Sequence, residues 1–344
     1  MRKVVIHRPG GYQRLELEEH PDPVPGPGQV LVEVAAAGVN FADCVVRMGL
    51  YRSARDYVGW PITPGFEVAG KVTALGGGVV GLEVSEPVLA VTRFGGYSSH
   101  LVVPREHALA LPRGLSMAQA AGVPTVFLTA YYALHELVHP RPGQVLLVHS
   151  AAGGVGGALV QLGKLAGCSV VAVVGAAHKV EVAREHGADR VVDASAEPLW
   201  AAVERHAPAG FDAVFDANGA ATLRASYQHL RAPGKLVVYG FHSMFARGRG
   251  RPSWARMALA WLRTPRFDPL LMTHENRSVL AFNLSYLFEE KEVLGQAMGR
   301  ILGWLEEGRI RPLRVTTFPL ERAADAHRAL ESGTTVGKLV LTTG

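Results

Sequence analysis

The feature that most constrains this chain is the apolar run Val145-Leu-Leu-Val-His149, which leads straight into Ser150-Ala-Ala-Gly-Gly-Val-Gly156. A short buried strand, a glycine-rich turn and then a helical pattern, here Val155–Ala166, form the strand–loop–helix unit that binds dinucleotides. The fingerprint Gly-x-Gly-x-x-Gly is met as Ala151-x-Gly153-x-x-Gly156, with Gly154 and Val155 between the last two positions. Gly153 lets the backbone approach a pyrophosphate, and Gly156 lets the helix pack closely on the strand. The helix N-terminus then offers unbonded N–H groups and partial positive charge to the phosphates. A glycine triplet alone also serves as a plain turn, so its neighbours decide the reading. They alternate: strand Ser169–Val174, helix Lys179–His186, strand Arg190–Val192, helix Pro198–His206, strand Ala213–Asp216, helix Ala221–Leu230, strand Lys235–Tyr239. That order predicts an α/β domain with a doubly wound parallel sheet.

The strand after the loop ends in Gly175-Ala-Ala-His-Lys179. An NAD enzyme places an acid about 20 residues past the loop to hold the ribose 2′-hydroxyl. No acid is present here, and His178 and Lys179 suit a 2′-phosphate, so the sequence favours NADPH over NADH. The plainer alternative makes Lys179 a solvated first-turn lysine.

The first third is different. Val4–His7, Val30–Ala36, Gly70–Leu75, Pro87–Val91 and His100–Val103 are β-rich runs separated by glycine and proline, which predicts a small antiparallel barrel. Helical periodicity follows at Ser116–Ala121 and Val126–Val138. With 344 residues the chain is long enough for two domains, and 48% hydrophobic against 19% charged residues excludes a disordered chain. The net charge of +5 favours anionic ligands, but no long Lys/Arg tract points to nucleic acid. Two cysteines, Cys44 and Cys168, build neither a disulfide framework nor a cysteine zinc cage, so a cytoplasmic protein is expected. No run is long enough for a transmembrane segment, and the N-terminus lacks the apolar stretch of a signal peptide.

The motifs Gly38-Val-Asn-Phe-Ala-Asp43, with Arg47, Gly49 and Tyr51, then Pro64-Gly-Phe-Glu-Val-Ala-Gly70, Ala151–Gly156 and Val336-Gly-Lys-Leu-Val340 are together similar to one family. They resemble the zinc-independent quinone oxidoreductases of the medium-chain dehydrogenase/reductase superfamily. The long insert after Tyr239-Gly240 and the run Asn276–Tyr286 resemble most the branch of the synaptic vesicle amine-transport membrane protein. The resemblance implies a GroES-like β-barrel catalytic domain, 1–120 with 288–344, and a Rossmann NADP-binding domain, 121–287, carrying an Arg/Trp-rich insert at 242–277. Zinc-dependent relatives place a Cys and a His where this chain has Asn40 and Phe66, and neither of these replaces a thiolate or an imidazole as a zinc ligand. No metal is expected.

The resemblance also implies site residues. Asn40, Asp43 and Tyr51 are expected at the catalytic centre. Thr129, Asn218, Gly219, Gly240, Phe241, Phe282, Asn283, Leu284 and Lys338 are expected at the cofactor, beside the glycine loop and His178 and Lys179. Bland alternatives stand beside these: Thr129 bonding its own helix, Tyr51 as a core aromatic, Asp43 paired with Arg47 one turn on. The serine usual in the 175–179 loop is missing, and Ala194 stands where a cofactor-contacting tyrosine is common.

Two further segments stand out. His135-Glu-Leu-Val-His139 matches a zinc-protease pattern, but Pro140 and Pro142-Gly143 end the helix at the second histidine, so a metal site is not expected. His139 is expected at a helix C-terminus. The stretch Phe245–Arg266 is basic and holds Trp254 and Trp261. It reads as an exposed or dimer-facing insert, a cap over the substrate, or a weak surface for anionic lipid. The expected activity is NADPH-dependent reduction of a quinone or related conjugated carbonyl. The alternatives are C=C reduction of a 2-alkenal or enone, or a cofactor-binding protein with a lipid or partner role. A homodimer is expected, paired through the strand Val279–Leu284.

Overall fold

The computed structural model describes residues 1–245, 248 and 250–344; Arg247 and Arg249 of the basic stretch lie outside the described residues. The chain divides into two compact units. The first comprises Met1–Val126 and Ser285–Gly344, with a short piece ending at Arg251; the second comprises Phe127–Ala246 and Pro252–Leu284.

The first unit is built on a seven-stranded, largely antiparallel sheet of the GroES-like kind. Its strands run in the order Val315–Pro319, Lys338–Thr342, Gln29–Val39, Glu67–Leu75, Pro87–Val91, Ala108–Ala110, and His100–Pro104 also pairs with Gln29–Val39. Strands from the first third of the chain and from its last thirty residues therefore share one sheet. Alternating apolar residues fill its core, among them Val30, Val32, Val34, Val68, Val72, Val88, Leu339 and Leu341. The strand Glu16–Glu19, absent from the sequence reading, pairs with Arg2–Val5 and carries mostly exposed charged side chains.

The second unit is the doubly wound domain. Six parallel strands lie in the order Arg190–Asp193, Ser169–Val174, Val145–Val148, Phe211–Asp216, Leu230–Val238, Ser278–Ala281. Counted along this unit, the order is 3-2-1-4-5-6, the Rossmann order. Burial on both faces explains why the inner strands Val145–Val148 and Ser169–Val174 read as nearly continuous apolar runs.

Two expectations are corrected. The helix Val126–Val138 is not uniform: an α-helix, Pro124–Tyr131, passes into a π-helical turn, Tyr132–Val138. His139 leaves it in the left-handed conformation (φ +55°), exposed, so it does not share a helical face with His135. The strand expected over Val279–Leu284 covers Ser278–Ala281, because Leu284–Tyr286 turns into a short 3₁₀ segment. The basic insert folds as two helices, Trp254–Arg263 and Pro269–Glu275, the second capped by Asp268, whose carboxylate accepts from Leu270 N at 2.9 Å.

Candidate active site

The carboxyl ends of the parallel strands gather most of the expected cofactor residues along one edge of the second unit. From the central strand come Ser150 to Gly156, from the next strand Gly175 to Lys179, and on the other side Asn218 and Gly219, Gly240 and Phe241, then Phe282 to Leu284. Ligands of open α/β sheets bind at this edge, where the strand order reverses. The loop is tightly built. Ser150 is left-handed (φ +56°), Ala151 N donates to Val173 O at 3.0 Å, and Gly153 N donates to Ser150 O at 2.9 Å. A Cβ on Gly156 would lie 2.3 Å from Ser150 O, so only glycine allows the helix this close. The helix Gly154–Leu165 starts without a side-chain cap at Gly153, which leaves its first N–H groups open to a phosphate. These residues fit a dinucleotide.

Asp216, unassigned from sequence, organises the neighbouring turn. It is fully buried and accepts from Asn218 N at 2.8 Å, Gly219 N at 3.0 Å, Thr222 Oγ1 at 2.7 Å and Ser226 Oγ at 2.8 Å. Gly219 is left-handed (φ +83°), and a Cβ there would meet Phe241 Cδ1 at 2.7 Å. Phe282 stacks obliquely on Tyr132 with ring centroids 4.9 Å apart. Thr129 lies nine-tenths buried on the helix Pro124–Tyr131.

The other expected residues form a separate cluster in the first unit. Asn40 precedes the helix Phe41–Arg47, and its side chain is held at both ends. Lys338 Nζ donates to Asn40 Oδ1 at 2.5 Å, and Asn40 Nδ2 donates to Glu67 Oε1 at 2.9 Å. Lys338 also pairs with Glu67 Oε1 at 2.6 Å, while Thr125 N donates to Glu67 Oε2 at 2.7 Å. The side chains of Lys338 and Glu67 are 2% and 0% exposed, so this is a buried ion pair with its hydrogen bonds satisfied. Gly38 makes room for it: a Cβ there would lie 2.4 Å from Glu67 Oε1. Lys338, expected at the cofactor, is thus engaged by Asn40 and Glu67. Glu67 stands in the motif Pro64-Gly-Phe-Glu67, where an acid heading an apolar strand is the signal that could have singled it out.

Tyr51 lies beside this cluster's aromatic wall. Its ring meets Phe66 edge-on at 5.8 Å, and Phe66 packs on Phe94 at 5.3 Å. The Tyr51 hydroxyl donates to Ser285 Oγ at 3.3 Å, and Ser285 Oγ donates to the buried Ser53 Oγ at 2.9 Å. Neither serine was legible as a site residue.

Asp43 is fully buried and serves the backbone. Its carboxylate accepts from Asn40 N and Gly65 N, both at 2.8 Å, fixing the turn that presents Asn40. It is not paired with Arg47, whose partner is Glu331. Burial pushes its pKa from 3.8 up to about 7, against the lowering effect of those two backbone donors and of Lys338. Between these values the folded chain holds a proton that the unfolded chain has released. Asp43 therefore contributes stability that is lost as pH rises from about 4 through about 7. In Asp43→Asn this part of the pH slope of unfolding free energy should vanish; an unchanged slope would contradict the assignment.

Residues 26–113 match the alcohol dehydrogenase GroES-like domain, and residues 186–341 match the zinc-binding dehydrogenase family. The synaptic vesicle membrane protein VAT-1 homolog of Danio rerio is 34% identical over 343 residues, 99% of this chain and 70% of that protein. The chain belongs to the medium-chain dehydrogenase/reductase superfamily, among the VAT-1 homologs. Among solved structures, Escherichia coli quinone oxidoreductase complexed with NADPH superimposes with a TM-score of 0.85 at 27% identity, covering 99% of this chain and 100% of that one. The CurK enoyl reductase superimposes with a TM-score of 0.84 at 26% identity, covering 99% and 98%. The fold of this VAT-1 relative is thus that of an oxidoreductase of the superfamily.

Proposed function

We propose that this protein reduces a quinone or related conjugated carbonyl with NADPH and without zinc. The observation that carries this reading is the Lys338 ammonium 2.5 Å from Asn40 Oδ1. Asn40 stands where the zinc-dependent relatives keep a thiolate ligand, and its Oδ1, the one atom it could offer a metal, is already taken by the Lys338 ammonium. At the second ligand position Phe66 is 5% exposed and packed among aromatic rings. NADPH when bound supplies hydride to the acceptor; the chain's residues bind, orient and polarise. The carboxyl-edge loop holds the pyrophosphate, His178 and Lys179 suit the 2′-phosphate, and the remaining Asn40 N–H stabilises negative charge on the acceptor oxygen, joined by the Tyr51 O–H once it turns from Ser285 Oγ. The Escherichia coli relative's complex with NADPH supports the cofactor, and its name supports the acceptor class.

Asn40→Ala should lower kcat by about 10²-fold, the range for loss of one such donor, with the NADPH dissociation constant nearly unchanged. Unchanged turnover with quinones would remove Asn40 from the mechanism. The CurK likeness keeps C=C reduction as the alternative acceptor chemistry, and relative rates with quinones and 2-alkenals separate the two. The strand Ser278–Ala281 ends the parallel sheet, which supports the homodimer reading.

A second reading rests on the insert. In the helix Trp254–Arg263, Trp254, Trp261 and Leu262 are 68%, 63% and 72% exposed, and the segment from His242 to Phe267 contains six arginines and no acid. An apolar face flanked by arginine suits an anionic lipid surface or a partner. Among the described residues no helix is long and apolar enough to cross a membrane. Co-sedimentation with phosphatidylserine vesicles that survives moderate salt, without NADPH oxidation on any acceptor, would favour this reading.

A further inference from the structure

We infer that Lys338 is a positioning residue of the reduction, working through Asn40 as an internal cation, and is not a ligand of the cofactor. The inference rests on the role proposed for Asn40. An asparagine amide has two faces of opposite polarity, and here both are specified. The ammonium takes Oδ1 at 2.5 Å and the Glu67 carboxylate takes Nδ2 at 2.9 Å. Turning the amide over would place NH₂ against an ammonium and a carbonyl oxygen against a carboxylate, so only one orientation survives. In that orientation one Nδ2–H is spent on Glu67 and the second has no protein acceptor among the described residues, on a half-buried side chain. A cation at Oδ1 also draws electron density from the amide and strengthens that second N–H as a donor.

The surroundings are built for this charge. Lys338 enters from the strand Lys338–Thr342, which pairs with Gln29–Val39, so the lysine and Asn40 meet at the end of one antiparallel ladder. Gly122 leaves space for its stem: a Cβ there would lie 3.1 Å from Lys338 Cγ. Glu67 balances the charge, and Thr125 N fixes the carboxylate's other oxygen. The side chain is 2% exposed, and its ammonium already bonds an amide oxygen and a carboxylate. A phosphate ligand would have to reach the one remaining N–H of a side chain this deeply buried.

The test uses three forms of the full chain. Lys338→Met alone leaves Glu67 buried and unpaired, so the informative variant is Lys338→Met combined with Glu67→Gln, which keeps the cluster neutral. Lys338→Arg keeps a cation. For the neutral pair, kcat with a quinone should fall about 10- to 100-fold, as for other residues that orient a functional group, with the NADPH dissociation constant within about twofold. Lys338→Arg should recover part of the loss. A large rise in the NADPH dissociation constant with kcat unchanged would make Lys338 a cofactor ligand and overturn the inference. Unchanged kcat and KM would overturn it too, leaving Lys338 a structural ion-pair member. The Asn40 side-chain amide resonance, assigned by its loss in Asn40→Ala, gives a reading independent of turnover. Its two proton shifts should move together towards free-amide values in the neutral pair and be retained in Lys338→Arg. Unmoved shifts contradict the role of Lys338 even in a chain that turns over nothing. Absence of turnover in the unaltered protein contradicts only the proposed reaction.

Discussion

Glu331→Ala should lower the unfolding free energy by about 3–5 kcal/mol, the cost of breaking one buried ion pair from one side. Glu331 lies on the C-terminal helix Ala323–Ser332 with its side chain 1% exposed. One oxygen accepts from Arg47 Nη2 at 2.5 Å; the other accepts from the Tyr12 hydroxyl at 2.7 Å and from Gly250 N at 3.2 Å. Arg47 is fully buried, and among the described residues its Nε and Nη1 have no hydrogen-bond partner. Without Glu331 the guanidinium keeps, among the described residues, the face of Tyr12, 4.4 Å from its ring centroid, as a favourable neighbour. Its charge would then be buried with no counter-ion in contact among the described residues. Urea titration measures the loss, and Glu331→Gln, which keeps an acceptor, should lose less. Equal stability of Glu331→Ala and the unaltered protein would show that the pair contributes nothing. The same helix brings His327 against Tyr97, 3.1 Å from the hydroxyl, and burial together with Arg47 holds that histidine well below its usual pKa.

Gly156→Val should weaken NADPH binding about 100-fold or more, which is roughly 2.7 kcal/mol. The cause is steric. The new Cβ would meet Ser150 O at 2.3 Å, Ser150 C at 2.7 Å and Ala151 Cα at 2.9 Å, all backbone atoms. None can retreat cheaply, because Ala151 N and Gly153 N are both engaged in the loop's own hydrogen bonds. The helix start must shift instead, and with it the N–H groups that meet the pyrophosphate. Gly156→Ala should act in the same direction, because Cβ is already the offending atom. Gly299→Ala serves as the control: it lies in the helix Lys291–Glu306 with nothing within 4 Å of its Cβ, so binding should not change. Binding titration with NADPH reads both. Full affinity in Gly156→Val would detach the cofactor from this loop.

How much was legible follows from where each signal is stored. The Rossmann unit is written locally. The two strands around the glycine loop are short apolar runs ended by small or turn-forming residues, so Val145–Val148, Ser169–Val174 and their helices lie within a residue or two of the positions read from sequence, whereas Leu230–Val238, broken by Arg231, Pro233 and Lys235, starts five residues before the expected Lys235. The strand Glu16–Glu19 escaped because its outward charged residues give no core-facing alternation. The π-helical turn at Tyr132–Val138 escaped because a widened turn keeps nearly the same apolar spacing as an α-helix. The donor cluster was half legible. Asn40, Asp43 and Tyr51 came from motifs, yet what each side chain does depends on distant partners. Lys338 is 298 residues from Asn40, and Ser285 is 234 residues from Tyr51. Such pairings carry no local pattern. That is why Lys338 reads as a cofactor residue in the sequence and as a partner of Asn40 in the fold, and why Asp43 turns out to hold the backbone around Asn40.

The central claim is zinc-independent reduction of a conjugated acceptor by NADPH, and acceptor-dependent NADPH oxidation tests it most directly. Purified protein is dialysed against a strong chelator and then assayed with a naphthoquinone, with a 2-alkenal and with no acceptor. NADPH oxidation should depend on the quinone, exceed the rate with NADH, and be undiminished by chelation. Activity that chelation abolishes and zinc restores, or no oxidation with any acceptor, would contradict it.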